Sequence, residues 1–277
     1  MKRILILLAA ALALFSCRQA PAPTPLKVMT FNVRAGVAND HENSWQYRRK
    51  AATDMILDQR PAVFGVQEAV DFQLDYILEQ CPMYKCVGVG REDGVKQGEH
   101  MSVFYDTTRI SLLDWGTYWL SETPDEPSLG WDAACRRTAT WTLLKDLACK
   151  REFFFVNTHL DHVGQEARRK GLALIVERIG QMNPDGFPMI LTGDFNVYPD
   201  DPCLADLRTL MLDAWETAPE IDEGPTWHGW GTVTGTRHID YIFYSGFSKC
   251  TNLTRLTRSY DNVPFVSDHY PVLAVLE

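Results

Sequence analysis

Apolar segments of strand length recur along almost the whole chain, and they constrain its fold more than any other feature. They cover residues 26–33, 62–67, 85–89, 101–105, 109–119, 138–144, 152–158, 188–191, 238–244 and 271–276. Helical patterns lie at residues 45–57, 71–79 and 163–179. The five segments between residues 85 and 158 have no helix among them and predict an antiparallel meander. Two mixed, mostly antiparallel β-sheets packed face to face, with helices outside, satisfy this order. We therefore expect a four-layer α/β sandwich formed by one domain, residues 26–277.

The N-terminus has the pattern of an export signal and does not belong to this domain. Lys2 and Arg3 precede an apolar run over residues 4–15, which is too short to span a bilayer because a spanning helix needs about 20 residues. Residues 14–17, Leu-Phe-Ser-Cys, have the pattern of a bacterial lipobox, so we expect residues 1–16 to be a lipoprotein signal peptide and Cys17 to carry the lipid. The alternative is a plain secretory signal with an incidental cysteine. Residues 17–25 are rich in Pro and Ala and predict a flexible tether. The domain would then lie in the periplasm or on the cell surface, attached to a membrane only through the lipid.

The charge balance bears on the partners that the chain can bind. The chain carries 27 Lys and Arg against 36 Asp and Glu, and removal of residues 1–16 would take away two basic residues and no acidic one. A surface that binds long nucleic acids is basic because it must neutralise phosphates, so a long nucleic acid is not the expected partner. A small phosphate ester held by a metal ion is compatible with this charge, and we expect a monomer. The six cysteines after Cys17 match no compact disulfide framework or zinc site, which leaves bridges and buried free thiols both open.

Polar residues recur where the apolar strands end. They are Asn32, Glu68, His159, Asp194, Asn196, Asp240, Asp268 and His269. A carboxylate within an apolar strand is costly to bury unless it is paired or binds a metal. Each residue alone has a simpler explanation, because Asn32 and the Gly193–Asn196 segment could form turns and Asp240 could be a satisfied structural carboxylate. Their order and spacing together favour one cleft at the edge of the packed sheets.

Six segments of this chain resemble the signature segments of the endonuclease/exonuclease/phosphatase superfamily, and they occur in that family's order. They are Thr30-Phe31-Asn32-Val33-Arg34, Gln67-Glu68, Asn157-Thr158-His159-Leu160, Gly193-Asp194-Phe195-Asn196, Ile239-Asp240-Tyr241-Ile242 and Ser267-Asp268-His269-Tyr270-Pro271-Val272. The resemblance spans residues 26–276 and implies a DNase I-like fold. A further segment, Trp119–Pro124 followed by Gly130–Asp132, is similar to a subgroup of uncharacterised exported bacterial members. The superfamily includes nucleases, deadenylases, inositol phosphatases and sphingomyelinases, so the resemblance implies phosphoester hydrolysis and leaves the substrate open.

The resemblance implies a metal site made of oxygen ligands. Glu68 is expected to be the principal ligand of Mg²⁺ or Mn²⁺, helped by Asn32 and Asp268. Oxygen ligands with bound waters suit such a hard cation.

The resemblance also implies catalytic roles for five residues: His269, Asp240, Asp194, Asn196 and His159. His269 is expected to face the scissile phosphate as an imidazolium, with Asp240 orienting it and raising its pKa. Asp194 would orient or deprotonate the attacking water, and Asn196 would donate to a phosphate oxygen. His159 replaces the Tyr of abasic-site endonucleases, which argues against a DNA-repair role, whereas deadenylases and sphingomyelinases share Asn-Thr-His-Leu.

Three further residues are candidates for substrate binding at the mouth of the cleft. Arg136 and Arg137 are predicted on a strand with their side chains on opposite faces, and Arg136 is the one assigned to the substrate phosphate. Trp131 and Trp230 could stack on a base or a sugar, although loop packing explains them equally well.

The sequence therefore favours a metal-dependent phosphoesterase that hydrolyses a small phosphodiester or phosphomonoester of a sugar, inositol, nucleotide or lipid headgroup outside the cytoplasm. The alternative is a secreted or surface-attached nuclease, which would need a basic groove. A sphingomyelinase-like enzyme ranks third because the sequence has no apolar membrane-contact hairpin. A non-catalytic binding protein would be expected to have lost part of the motif set, and this chain has kept it.

Overall fold

The computed structural model describes residues 24–277, so the expected signal peptide, Cys17 and most of the tether lie outside the described residues. The strands are β1 (Leu26–Asn32), β2 (Val63–Gln67), β3 (Tyr84–Val87), β4 (Val103–Asp106), β5 (Ile110–Trp119), β6 (Thr138–Asp146), β7 (Glu152–His159), β8 (Met189–Asp194), β9 (Leu212–Asp213), β10 (Asp240–Ser245), β11 (Cys250–Arg255) and β12 (Val272–Leu276). The α-helices are α1 (Trp45–Gln59), α2 (Asp71–Gln80), α3 (Gln165–Met182), α4 (Ala205–Leu210) and α5 (Ala214–Thr217).

The strands form two six-stranded sheets. The first has the order β11-β12-β1-β2-β4-β3 and the second the order β5-β6-β7-β8-β10-β9. Among the named strands of residues 24–277, only β1–β2 and β7–β8 pair in parallel. Each of these pairs is joined by a long helix, α1 or α3, because a parallel pair needs a crossover connection. The other pairs are antiparallel. The expected four-layer α/β sandwich of mixed, mostly antiparallel sheets is confirmed.

Alternating side chains of the first sheet divide between two hydrophobic cores. Val28 and Val63 belong to the core that the two sheets share, and Met29 and Phe64 belong to the core beneath α1 and α2. Phe64 stacks on Phe104 of the neighbouring strand with 4.7 Å between the ring centroids. Since successive side chains of a strand point to opposite faces, a strand that is apolar throughout requires a covering layer on both sides. This requirement explains why the first sheet lies between helices and the second sheet.

The predicted meander is wrong in one respect, because the five strands between residues 84 and 159 do not form one sheet. The chain leaves the first sheet after β4, which pairs with β2 and β3, and enters the second sheet at β5, which pairs with β6. The apolar pattern marks each strand but carries no information about its partner, since pairing is decided by contacts distant in sequence. The pattern also missed β9, β11, α4 and α5.

Two further features of the described residues are the length and polarity of the helices and the state of the cysteines. None of the helices in residues 24–277 is both long and apolar enough to cross a membrane. The six cysteines of this part of the chain are all free thiols.

Candidate active site

Six of the eight polar residues predicted to meet at the strand ends line one cleft of about 450 Å³ between the two sheets, and the other two, Asn32 and Asp240, contact the lining residues Asp194 and His269. Asn32 ends β1, Asp194 ends β8, and Asp240 begins β10. The pairing register places His159 beside Asp194, and Asp194 opposite Asp240. The sheet hydrogen bonds therefore hold these side chains at one edge of the sandwich.

A buried polar contact locks the two sheets together beneath the cleft. Gln67 of β2 donates from Nε2 to Oδ1 of Asn157 on β7 at 2.6 Å, and Asn157 donates back to the Val66 carbonyl at 2.8 Å. Gly65 leaves room for this contact, because a Cβ there would lie 2.3 Å from the Asn157 amide oxygen. Buried amides bonded to each other across two strands fix the relative position of those strands, although Gln67 Oε1 itself has no hydrogen-bond partner within the described residues.

The Asn32 side chain connects several residues of the site through hydrogen bonds. Its Nδ2 donates to Glu68 Oε1 and to Asp194 Oδ2, both at 3.0 Å. Its Oδ1 accepts from the Arg34 backbone N–H at 3.0 Å. One amide therefore joins carboxylates from the two different sheets.

Glu68 is held in a conformation that aims its carboxylate into the cleft. Its φ is 63°, in the left-handed region that non-glycine residues seldom occupy, and its Oε2 accepts from the Ala35 N–H at 3.1 Å. Burial alone would raise the pKa of Glu68, but the hydrogen bond from Asn32 and the positive charge of His269 lower it below its usual value. Glu68 is therefore a carboxylate at neutral pH.

The residues expected to hold a metal fit a hard divalent cation. Side-chain ligand atoms of Glu68, His159 and Asp194 lie within 4.8 Å of one another. The Arg34 guanidinium lies 3.9 Å from Glu68 Oε2 and 4.0 Å from Asp268 Oδ2, so both carboxylates converge on the same cationic group. Converging, largely buried carboxylates and an amide oxygen are the donor set that Mg²⁺ and Mn²⁺ take. Glu68 and Asp268 supply carboxylate oxygens to this set, whereas Asn32 directs its Nδ2 at Glu68 and Asp194 and its Oδ1 at the Arg34 backbone N–H.

His269 and Asp240 form a buried pair at the base of the cleft. His269 Nδ1 lies 2.9 Å from Asp240 Oδ2, and His269 Nε2 lies 3.7 Å from Asp194 Oδ2. Burial alone would lower the pKa of His269, but the carboxylates of Asp240 and Asp194 raise it to about 10. The imidazole is therefore protonated at neutral pH, with Nε2 toward the cleft.

Asp194 shares this environment and has a perturbed pKa of its own. Burial and repulsion by the Asp240 carboxylate raise the pKa of Asp194 above its usual value. Its Oδ1 accepts from the Asn196 backbone N–H at 3.0 Å, which orients the carboxylate. A positioned carboxylate with a raised pKa is suited to accept a proton.

His159 and Asn196 contact each other in the lining of the cleft. Asn196 Nδ2 donates to the Leu160 carbonyl and lies 3.0 Å from His159 Nε2. Burial, together with the positive charges of Arg137 and Arg91, lowers the pKa of His159 well below its usual value. His159 is therefore neutral, in contrast to His269.

The mouth of the cleft differs from the sequence-based assignment. The lining residues are Arg34, Glu68, Arg91, Glu99, Cys135, Arg137, His159, His162, Asp194, Asn196, Trp227, Ile239, Asp268 and His269. Arg136 is absent from this lining and pairs with Glu92 at the surface, whereas its neighbour Arg137 lines the cleft and binds Asp161 at 3.3 Å. Both arginines precede β6 and do not lie on a strand as predicted, and Arg137 lines the cleft whereas Arg136 does not.

The two assigned tryptophans are also absent from the lining. Trp131 lies beside α3, with the Lys170 ammonium 5.7 Å from its ring centroid. Trp230 packs on the buried guanidinium of Arg48, 5.4 Å from its ring centroid. Trp227, which the sequence did not single out, lines the cleft and is 42% exposed. Its proximity to the Asp268-His269 segment comes from a strand bridge with His269 that no local pattern reveals.

Two packed six-stranded sheets with this cleft at one edge define a DNase I-like fold. The chain belongs to the Endonuclease/Exonuclease/phosphatase family, whose sequence profile matches residues 29–269, and the hydrolases of this family act on phosphoric esters.

Solved structures with related sequences cover nearly the whole chain. One is an endonuclease/exonuclease/phosphatase family protein of Bacteroides thetaiotaomicron, which is 33% identical, covers 92% of this chain and 98% of its own, and has a TM-score of 0.88. Another is a mannosyl-6-phosphatase of Bacteroides thetaiotaomicron, which is 32% identical with a TM-score of 0.86 and covers 91% of this chain and 99% of its own. An uncharacterised protein of Acanthamoeba polyphaga mimivirus is 26% identical over 91% of this chain and 100% of its own length.

Proposed function

We propose that this protein is a Mg²⁺- or Mn²⁺-dependent hydrolase of a small phosphate ester, with a phosphorylated sugar as its first candidate substrate. The observation that carries the proposal is the buried His269–Asp240 pair, whose imidazole faces Asp194 in the same cleft as Glu68. Sugar phosphates come first because a relative with 32% identity is a mannosyl-6-phosphatase. Phosphate esters of inositol, nucleotides and lipid headgroups form the wider class to be compared.

In the proposed mechanism, the metal cation would be held by Glu68, Asn32 and Asp268. When bound, the cation would neutralise charge on a phosphoryl oxygen and help to position the phosphate. The Arg34 guanidinium lies 3.9 Å from Glu68 Oε2 and 4.0 Å from Asp268 Oδ2, which directs both carboxylates at the same place.

The protein's own groups supply the proton transfer and the remaining charge. Asp194 accepts a proton from the attacking water, because it is a positioned carboxylate with a raised pKa. The water oxygen bonds to phosphorus as the bond between phosphorus and the ester oxygen breaks, and the leaving alcohol takes up a proton from solvent water. His269, protonated and held by Asp240, donates a hydrogen bond from Nε2 to a phosphoryl oxygen, where negative charge builds up. Asn196 lines the cleft beside them, with its two amide N–H groups directed at the Leu160 carbonyl and at His159 Nε2, so it would donate to a second phosphoryl oxygen only by giving up the contact with His159.

A panel of phosphate esters tests the proposal. The purified protein is assayed with Mg²⁺, with Mn²⁺ and with excess chelator on sugar, inositol, nucleotide and lipid-headgroup phosphates and on single-stranded DNA. Sugar phosphates should be hydrolysed fastest, and Asp194→Asn, which preserves size, should lower kcat by about 10²–10⁴-fold without loss of folding. Faster cleavage of DNA than of any small ester would support the nuclease alternative. Full activity in chelator would contradict the metal assignment.

The proposal includes action outside the cytoplasm. It is supported by the signal-like residues 1–16, the lipobox cysteine Cys17 and the Pro- and Ala-rich tether that follows. Fractionation of cells that express the full chain, followed by protease treatment of intact cells, separates the periplasm from the cell surface.

A further inference from the structure

The cleft continues into two further cavities along one side of the molecule. Trp227 and Ile239 line both the cleft and a cavity of about 140 Å³, which also contains Tyr198 and Arg237. Arg237 in turn lines a third cavity of about 420 Å³. We call the two outer cavities together the aromatic groove. It begins directly beside the site of phosphate hydrolysis, so it can receive only the part of a substrate that lies beyond the phosphate.

Two exposed aromatic rings form the first part of this groove. Trp227 is 42% exposed and Tyr198 is 45% exposed, although large aromatic rings are normally buried. The Arg237 guanidinium stacks on Tyr198, 3.9 Å from the ring centroid, which stiffens that ring. A strand bridge holds the Trp227 backbone beside that of His269, and the Trp227 side chain lines both the cleft and the groove. Rigid, exposed rings offer flat apolar faces at low entropic cost.

The charges of the groove exclude a polyanionic ligand. Arg237 pairs with Asp200, and Arg208 pairs with Asp213 at 3.2 Å and with Glu216 at 3.0 Å. A further carboxylate, Glu223, also lines the groove. Within the described residues that line it, both arginines thus already have carboxylate partners. A nucleic acid strand needs free cationic groups for its phosphates, and this wall offers it mainly negative charge.

We propose that the aromatic groove binds the neutral saccharide chain that carries the phosphate, so that the preferred substrate is a phosphorylated oligosaccharide and not a free sugar phosphate. The inference rests on the proposed hydrolysis of sugar phosphates. Trp227 and Tyr198 stack on the apolar faces of successive sugar rings, and the paired charges along the wall accept and donate hydrogen bonds to hydroxyl groups. The substrate is uncharged beyond its phosphate, which matches a groove without free cationic side chains.

The test compares kcat/KM for mannose 6-phosphate with kcat/KM for a mannotriose that carries the 6-phosphate on its terminal residue. The wild-type protein should prefer the trisaccharide by about tenfold, which corresponds to about 1.4 kcal/mol. Tyr198→Ala should reduce that preference to near unity. Tyr47→Ala removes a tyrosine outside the groove that is 59% exposed, against 45% for Tyr198, and should keep the full preference. Thermal melting verifies that both variants are folded.

A binding measurement separates this inference from the proposed function. Unphosphorylated mannotriose is titrated into the full chain by calorimetry, and its binding should be weakened about tenfold in Tyr198→Ala and unchanged in Tyr47→Ala. If no sugar phosphate is hydrolysed, the proposed function fails whatever this titration gives. If mannose 6-phosphate is hydrolysed but the trisaccharide has no advantage and does not bind, only the groove assignment fails. A preference for a 5′-phosphorylated oligonucleotide over the trisaccharide would also overturn it.

Discussion

The His269–Asp240 pair gives the sharpest prediction about mechanism. The imidazole Nδ1 and the carboxylate Oδ2 are 2.9 Å apart, and both side chains are almost fully buried. If Asp240 acts by keeping His269 charged and oriented, the two residues form one functional unit. The perturbation is a four-member cycle of the wild type, His269→Ala, Asp240→Asn and the double variant.

The structure sets the expected magnitudes of this cycle. His269→Ala should lower kcat by about 10²–10⁴-fold, the range for a positioned acid–base or electrostatic group. Asp240→Asn should lower kcat by less than His269→Ala does, because the imidazole is kept. The variant loses the Asp240 carboxylate, whose negative charge raises the pKa of His269 against the lowering effect of burial. The pKa of His269 should then fall from about 10, so the imidazolium fraction at pH 8 drops and recovers as the pH is lowered. The double variant should be little worse than His269→Ala, since groups that act as a unit are not additive.

The assay is kcat on the best sugar phosphate between pH 6 and 8, with thermal melts of all four proteins. Acidification should raise kcat of Asp240→Asn relative to the wild type. The melting temperatures should fall, because each single substitution leaves a buried group without its partner, but all four proteins should remain folded at the assay temperature. Additive losses in kcat, or near-normal kcat with collapsed stability, would show that the pair has a structural role and would refute this reasoning.

Three further predictions concern stability and export. Arg48→Ala should destabilise the protein by about 2–6 kcal/mol in chemical unfolding, because the Arg48 guanidinium donates to the carbonyls of Val33 and Val266 and each orphaned carbonyl costs roughly 1–3 kcal/mol. A loss below about 1 kcal/mol would contradict this. Burial raises the pKa of Asp213 to about 6, so the folded state favours its proton and stability should fall as the pH rises from 4 to 6. The free energy of unfolding of Asp213→Asn, relative to that of the wild type, should therefore increase by about 1–3 kcal/mol from pH 4 to pH 8. An equal difference at both pH values would contradict this prediction. Cys17→Ser should abolish fatty-acid labelling and leave unprocessed precursor in the membrane, and persistent labelling would exclude the lipoprotein assignment.

The strand ends show what the sequence was able to predict. Asn32, Glu68 and Asp194 were identified because each is a polar residue at the end of an apolar strand. This pattern is local in sequence, so it can be recognised without knowing which strands pair. The two-sheet architecture followed from the same alternation of strands and helices. The switch between sheets after β4 was not predictable in this way, because strand pairing depends on residues far apart in sequence.

The mouth of the cleft shows where local reasoning ends. Arg136 and Arg137 are adjacent, and only the packed fold decides that Arg137 turns inward to Asp161. Trp230 was a reasonable candidate by composition, yet it packs on Arg48, while Trp227 reaches the cleft through its bridge to His269. The Gln67–Asn157 contact between the sheets was likewise hidden, since the two residues lie ninety positions apart.

Metal-dependent phosphate release tests the central claim most directly. The protein is stripped with a chelator and assayed on mannose 6-phosphate while Mg²⁺ or Mn²⁺ is titrated back, in the wild type, in Glu68→Gln and in the exposed control Glu42→Gln. Release should be absent without metal and should return on titration, and Glu68→Gln should need about 10–100-fold more metal than the wild type, the cost typical of a weakened coordination sphere. Glu42→Gln should match the wild type. Undiminished phosphate release from the stripped protein, or an unchanged metal requirement in Glu68→Gln, would contradict the assignment of this cleft as a metal-dependent phosphoesterase site.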